Sequence, residues 1–182
     1  MNICIAGWYY HKPLLAVLNG NAFIVGHCCH DRANVVIPNV GLEFGCYDWF
    51  LKNYWKSGQT LFMHDDNDIT SGALAAIEKL EYDQAFLFSS EKEMLDNGGA
   101  HGRAILCSNK FLRQLKADGG FWYDEGNNGS VPVTTDLPDY HNNGILMFRH
   151  YLDTLSDEYN VNVVCVVEGL TTGYRGELHG AT

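Results

Sequence analysis

Positive charge is scarce in this chain. Of 182 residues, 12 are Lys or Arg against 22 Asp or Glu, for a formal net charge of −10. No run of Lys and Arg occurs. A general nucleic-acid binder neutralises phosphates with clustered basic residues, so no nucleic-acid partner is expected. The same shortage excludes the basic patches that hold proteins on anionic membranes. Long hydrophobic runs are missing too. The longest apolar stretches, such as 162–168, are strand-sized. A membrane span needs roughly 18 apolar residues, so none is expected. The opening residues Met1-Asn2-Ile3-Cys4 carry no basic n-region or cleavage signal, so no secretory address is expected. Spaced cysteine pairs are absent. Cys4, Cys28, Cys29, Cys46, Cys107 and Cys165 lie mostly in apolar runs, where a thiol behaves as a small hydrophobe. They read as reduced thiols of a cytoplasmic protein. His27-Cys28-Cys29-His30 has metal-binding residue types, but zinc sites prefer spaced pairs, so it reads as a buried strand end.

What is present fits one globular domain. The length is that of a single domain and suffices for a hydrophobic core without disulfides or a structural metal. Hydrophobic residues at 46% and charged residues at 19% exclude collagen, coiled-coil and disordered classes. No internal repeat, low-complexity tract or linker divides residues 1–182, so the whole chain is read as one domain.

Hydrophobic periodicity predicts an α/β fold. Apolar runs at Ile3–Tyr9, Ala22–Cys28, Asn34–Ile37, Thr60–Met63, Ala85–Phe88, Arg103–Cys107 and Val161–Val167 read as strands. Helical spacing marks Leu14–Leu18, Gly41–Trp55, Ala73–Leu80, Lys110–Lys116 and His141–Tyr159. Continuous apolar strands separated by helices predict a mostly parallel central sheet with helices on both faces, a Rossmann-like layout. Glu91–Gly102 and Asn127–Pro138 read as loops, and Gly169–Thr182 as a glycine-rich tail.

Four segments carry chemistry. In Leu61-Phe62-Met63-His64-Asp65-Asp66-Asn67-Asp68 an apolar strand runs straight into three carboxylates. Ligands of open parallel sheets bind beyond the carboxyl ends of strands. Crowded carboxylates repel unless a cation neutralises them, and hard oxygen ligands suit Mg²⁺ or Mn²⁺. The plain alternative is a solvated acidic turn before a helix. In Pro38–Tyr47, Asn39 and Gly41 lie in a strand-to-helix turn, where they can meet a ligand or merely brace the turn. Gly119-Gly120-Phe121-Trp122-Tyr123-Asp124-Glu125 puts two carboxylates beside aromatics after a glycine hinge. Such a carboxylate can act as general base, or the segment is a loop whose aromatics tuck into the core. In the tail, His179 is a candidate metal ligand or part of a frayed end. Ala6, Gly7, Trp8 and Tyr9 close the first strand, and an aromatic there can stack on a base or sugar, or simply pack. Asp31, beyond the second strand, can bind a ribose hydroxyl.

These segments, in this order, resemble glycosyltransferases of the type A (GT-A) fold, a single nucleotide-binding α/β domain. Phe62-Met63-His64-Asp65-Asp66-Asn67-Asp68 is similar to that family's Asp-x-Asp motif. Asp66-Asn67-Asp68 matches it literally, while distance from the strand favours His64-Asp65-Asp66. Gly102–Leu112 followed by Asp124-Glu125 resembles the stretch that lines the acceptor side. Asn39-Val40-Gly41-Leu42-Glu43-Phe44-Gly45 is similar to the helix start of rhamnan-synthesis-type and large-DNA-virus glycosyltransferases. The resemblance implies sugar transfer from a nucleotide-diphosphate sugar to a glycan or glycoprotein acceptor, with Mn²⁺ or Mg²⁺. It further implies Asp66, Asp68 and His179 as metal ligands and Asp124 or Glu125 as base. Ala6, Gly7, Trp8, Tyr9, Asp31, Asn39, Gly41 and Asp65 would hold the nucleotide. For a viral chain the compartment would be the host cytoplasm. Acid clusters serve a metal-dependent phosphohydrolase or nucleotidyltransferase equally well, and a non-catalytic nucleotide- or carbohydrate-binding module is a third reading. The positive charge a diphosphate needs would come from the cation, with Lys12, Arg32, Arg103 and Arg175 as the side chains near these loops.

Overall fold

The computed structural model describes residues 1–8, 10, 12–80, 85–88, 104–121, 164–165 and 170–172. The strands are β1 (Asn2–Gly7), β2 (Phe23–Gly26), β3 (Val35–Val36), β4 (Thr60–His64), β5 (Asn67–Ile69), β6 (Ala85–Phe88), β7 (Ala104–Cys107), β8 (Val164–Cys165) and β9 (Leu170–Thr172). The helices are α1 (Lys12–Leu18), α2 (Leu42–Trp49), α3 (Ser71–Glu78) and α4 (Asn109–Ala117).

Seven strands form one sheet in the order β3-β2-β1-β4-β7-β6-β8, and β5 pairs with β9 separately. The first four lie parallel to one another. β7 runs against both β4 and β6, and β8 is parallel to β6. The sheet is thus mixed and mainly parallel, as the apolar runs predict, with β7 as the reversed strand.

Strand alternation sends successive side chains to opposite faces, and both faces are covered. Ile3 and Ile5 of β1, Leu61 and Met63 of β4 and Leu106 of β7 join Leu14 and Leu18 of α1 and Ile77 of α3 in one core. Cys4 and Ala6, Phe62, and Ile105 and Cys107 face the other way, against Phe44 and Tyr47 of α2 and Phe111, Leu112 and Leu115 of α4. Two-sided burial is why these strands read as unbroken apolar runs. The second core is aromatic. Phe62 lies 5.1 Å from both Tyr47 and Phe121, the Phe121 contact edge to face. Such pairs add about 0.5–1.5 kcal/mol each beyond the buried area.

The helices start where their caps dictate. The Thr70 hydroxyl accepts the Ala73 amide at the start of α3, and the Ser108 hydroxyl accepts the Phe111 amide at the start of α4. The segment Gly41–Trp55, read as one helix, is α-helical only to Trp49 and continues as a π-helical turn over Phe50–Tyr54. The wider turn presents Phe50, Leu51 and Trp55 to the core together, each at most 4% exposed. Two further departures concern the acidic motif. Asn67–Ile69 is a strand rather than an open turn, and the start of the glycine-rich tail pairs with it as β9. The expected helix at His141–Tyr159 and the expected loops at Glu91–Gly102 and Asn127–Pro138 lie outside the described residues. Among the described residues, no helix is long and apolar enough to cross a membrane.

Candidate functional site

The strand order places a switch point between β1 and β4. From β1 the sheet proceeds through β2 to β3 on one side and to β4 on the other. In open α/β sheets the crevice beyond the carboxyl ends of strands at such a point is where ligands bind. Here β1 ends at Gly7 and β4 at His64, with Ala6 opposite His64 in the pairing. The predicted residues Ala6, Gly7, Trp8, Asp65 and Asp66 therefore come together at one edge. Trp8 is 42% exposed there. Tyr9 lies outside the described residues.

Asp65 joins the two strand ends. Its own amide donates to the Ala6 carbonyl at 3.1 Å. Its Oδ2 accepts the Trp8 amide at 2.9 Å and also the Tyr10 amide. The residue is fully buried. A carboxylate can be buried only when donors replace its water, and these two amides do so.

The remaining acids are arranged around His64. The His64 Nδ1 lies 2.8 Å from Asp66 Oδ1 and 3.7 Å from Asp65 Oδ1. Burial disfavours the charged ring. The hydrogen bond and charge of Asp66, then the charges of Asp65 and Glu43, outweigh that and push the imidazole up to about 9. That shift favours the protonated ring beside Asp66. Asp68 is half-buried on β5. Asn67 stands opposite Thr172 and Ile69 opposite Leu170, so β9 runs toward the Asp66 end of the motif. Asp66 and Asp68 offer the hard oxygen donors that Mg²⁺ or Mn²⁺ prefers. Among the described residues, no group of three or more His, Cys, Asp or Glu side chains can hold a metal. A cation here needs a ligand from beyond them, and His179 lies outside them.

A second wall comes from β2 and the start of α2. The His27 amide bonds the Gly7 carbonyl at 3.0 Å. Its Nε2 lies 2.9 Å from the Leu42 carbonyl and 3.2 Å from Cys46 Sγ. Its ring meets Trp8 edge to face at 6.0 Å. This Cys-His contact is no nucleophilic pair, because burial first, then the charges of Glu43 and Asp65, pushes the Cys46 thiol up, away from the thiolate. Gly41 precedes α2 with φ 74° and Leu42 follows at φ 52°. The left-handed pair turns the chain sharply from Asn39, which is half-buried, into the helix. Asp31 is exposed on the adjoining loop and lies 2.8 Å from the His30 Nδ1.

The glycine hinge after α4 is bound to α2. Gly119 and Gly120 have φ 109° and 100°, values that favour glycine. Asp48 Oδ1 accepts the Phe121 amide at 2.9 Å, and Oδ2 pairs with Lys52 at 2.7 Å. Phe121 is in the core, as the plainer reading of that segment expects. Asp124 and Glu125 lie outside the described residues.

Two residues, Tyr10 and Asp48, have roles that the sequence does not mark, because their partners are distant in the chain. The separations are 55 residues for Tyr10 and Asp65 and 73 for Phe121 and Asp48. An Asp among the buried positions of α2 is the one signal that marks Asp48 beforehand.

No family model matches the chain. No curated protein matches it either. Solved structures do align. The chain is similar to the apo-form glycosyltransferase GlyE of Streptococcus pneumoniae TIGR4, with 12% identity and a TM-score of 0.46, over 90% of this chain and 44% of that one. It is similar to S. aureus TarS 1-349, with 13% identity and a TM-score of 0.48, over 91% of this chain and 58% of that one. The chain thus spans about half the length of these structures. With TM-scores under 0.5, the likeness carries no inference about activity.

Proposed function

We propose that the chain is a glycosyltransferase that moves a sugar from a nucleotide-diphosphate sugar to a hydroxyl of a glycan or glycoprotein. The observation that carries this reading is the placement of the acidic motif at the β1–β4 switch point, beside the exposed Trp8. That crevice suits a nucleotide, and an aromatic at its lip suits a base or sugar ring. Asp31, Asn39 and Gly41 lie on loops that follow β2 and β3, the two strands that extend the sheet from β1 away from β4. In this reading they hold the ribose and diphosphate.

Asp66 and Asp68, with His179, would hold Mn²⁺ or Mg²⁺. The direction of β9, toward Asp66, supports the part assigned to His179. The ion would neutralise the charge that develops on the departing diphosphate. The chain's own contribution is to bind and orient the donor and to remove the acceptor proton. Asp124 or Glu125 serves as that base in an inverting reaction. The hinge at Gly119-Gly120, bound through Asp48, supports a defined point of departure for the segment that carries them.

Isothermal titration calorimetry with uridine and thymidine diphosphates, with and without Mn²⁺, tests the reading. Binding of one nucleotide, strengthened by the metal, is expected. Absence of binding to either under both conditions would sink it. Rapid phosphate release from simple phosphate esters would replace it with a phosphohydrolase.

A further inference from the structure

We propose that Asp65 and Tyr10 are positioning residues that hold Trp8 as a rigid stacking platform at the switch point, and that Asp65 itself does not touch the ligand. The inference deepens the nucleotide-binding reading above and rests on it for the identity of what stacks.

The Asp65 carboxylate is fully buried, and the Trp8 and Tyr10 amides both donate to its Oδ2. It clamps the chain on both sides of position 9. Tyr10 itself has φ 57°, a left-handed value uncommon outside glycine, which costs free energy unless the surroundings enforce it. The enforcement is visible. The Tyr10 hydroxyl donates to the Cys28 carbonyl at 2.9 Å, and its ring stacks on His30 at 3.9 Å with planes 8° apart. Space for the ring exists because Gly7 and Gly26 lack side chains. A Cβ on Gly26 would come closer than 3.0 Å to the Tyr10 hydroxyl. A Cβ on Gly7 would crowd the same ring at 3.1–3.2 Å. Cys28 then closes the loop, its thiol donating to the Trp8 carbonyl at 3.2 Å.

Trp8 is therefore held at its amide by Asp65 and at its carbonyl by Cys28, while the residue is 42% exposed. Tyr10 is 5% exposed, and its hydroxyl is already bonded inside the protein. A ring whose backbone is fixed before binding loses less freedom on binding, and this is how pre-organisation raises affinity. Asp65 and Tyr10 act on the ligand through Trp8.

The test uses Trp8→Ala, Tyr10→Phe, Asp65→Asn and the Trp8→Ala/Tyr10→Phe double variant. Two readouts are needed. Amide hydrogen exchange by NMR, without nucleotide, follows Trp8 and Tyr10 against a core amide such as Phe62. Calorimetry with uridine or thymidine diphosphate follows affinity. In Tyr10→Phe and Asp65→Asn, exchange at Trp8 and Tyr10 should rise by about tenfold or more while Phe62 stays protected. Tyr10→Phe should weaken nucleotide binding about fivefold, the scale of one hydrogen bond. The double variant should bind within about twofold of Trp8→Ala alone, because a residue acting through another shows no separate effect. Additive losses would overturn the proposal. So would unchanged exchange, or unchanged affinity despite faster exchange. Should Asp65→Asn fail to fold, Tyr10→Phe carries the test, since it removes only a hydroxyl. If the wild-type chain binds neither nucleotide, the glycosyltransferase reading falls. The exchange data alone then decide the clamp: faster exchange in the variants sustains it and unchanged exchange overturns it.

Discussion

The charge on His64 is open to direct titration in metal-free buffer. His64 lies 2.8 Å from the Asp66 carboxylate, with its side chain 20% exposed. Burial lowers its affinity for a proton. The Asp66 hydrogen bond and charge, followed by Asp65 and Glu43, overcome that and raise it from 6.5 to about 9. At about 1.4 kcal/mol per pKa unit, the difference is an upper bound of about 3 kcal/mol of stability. A group whose folded pKa is raised contributes fully below its unfolded value and loses that contribution as pH rises through the folded value. Stability linked to His64 should thus be complete below pH 6.5 and decline toward pH 9. Burial also holds the thiols of Cys4, Cys46 and Cys107 above 9.0. Those groups destabilise the fold only above that pH, which leaves the lower window to His64. Denaturant unfolding across that window, with ring proton NMR of His64, measures both quantities. In Asp66→Asn the ring pKa should fall toward or below 6.5, and the decline in stability should flatten. A wild-type His64 that titrates at or below 6.5 would refute the pairing.

Three more outcomes follow from the geometry. Mg²⁺ added to the chain should lower the His64 pKa in the same NMR titration if Asp66 is a metal ligand, because cation and proton compete for one carboxylate; an unmoved pKa at saturating Mg²⁺ removes Asp66 from the metal site. Gly45→Ala would place a Cβ closer than 3.0 Å to the Val40 carbonyl oxygen, a backbone atom that cannot rotate away. The expected crowding cost of about 1–3 kcal/mol exceeds the gain of up to about 1 kcal/mol from replacing a helical glycine, so thermal unfolding should occur at lower temperature. Asp48→Ala should destabilise by about 2 kcal/mol because it leaves the buried Phe121 amide without that acceptor, and Asp48→Asn should cost less because it retains one. The Lys52 pair contributes little to that difference, since the lysine is 46% exposed.

Much of this architecture was already legible in the chain. The run Ala85–Phe88 is β6 residue for residue, and Thr60–Met63 is β4 short of its last residue. Both are short runs that are apolar apart from Thr60, the pattern that strands of a sheet buried on two faces carry. The switch from Met63 to His64-Asp65-Asp66 marked where the strand ends, within one residue.

Other features were settled by contacts between distant segments. Strand direction is one, because an apolar run reads the same either way, and β7 is reversed only by its pairing with β4 and β6. The pairing of β5 with β9 is another, since it joins Asn67–Ile69 to residues about a hundred positions later. The roles within the acidic motif are a third. His64, Asp65 and Asp66 are consecutive, and all three are titratable. Only the folded chain brings the Trp8 and Tyr10 amides to Asp65 and turns His64 onto Asp66. Local sequence set which residues would be polar at that edge. Which of them faces a backbone amide and which faces an imidazole depends on where β1 ends relative to β4, and tertiary packing alone determines that.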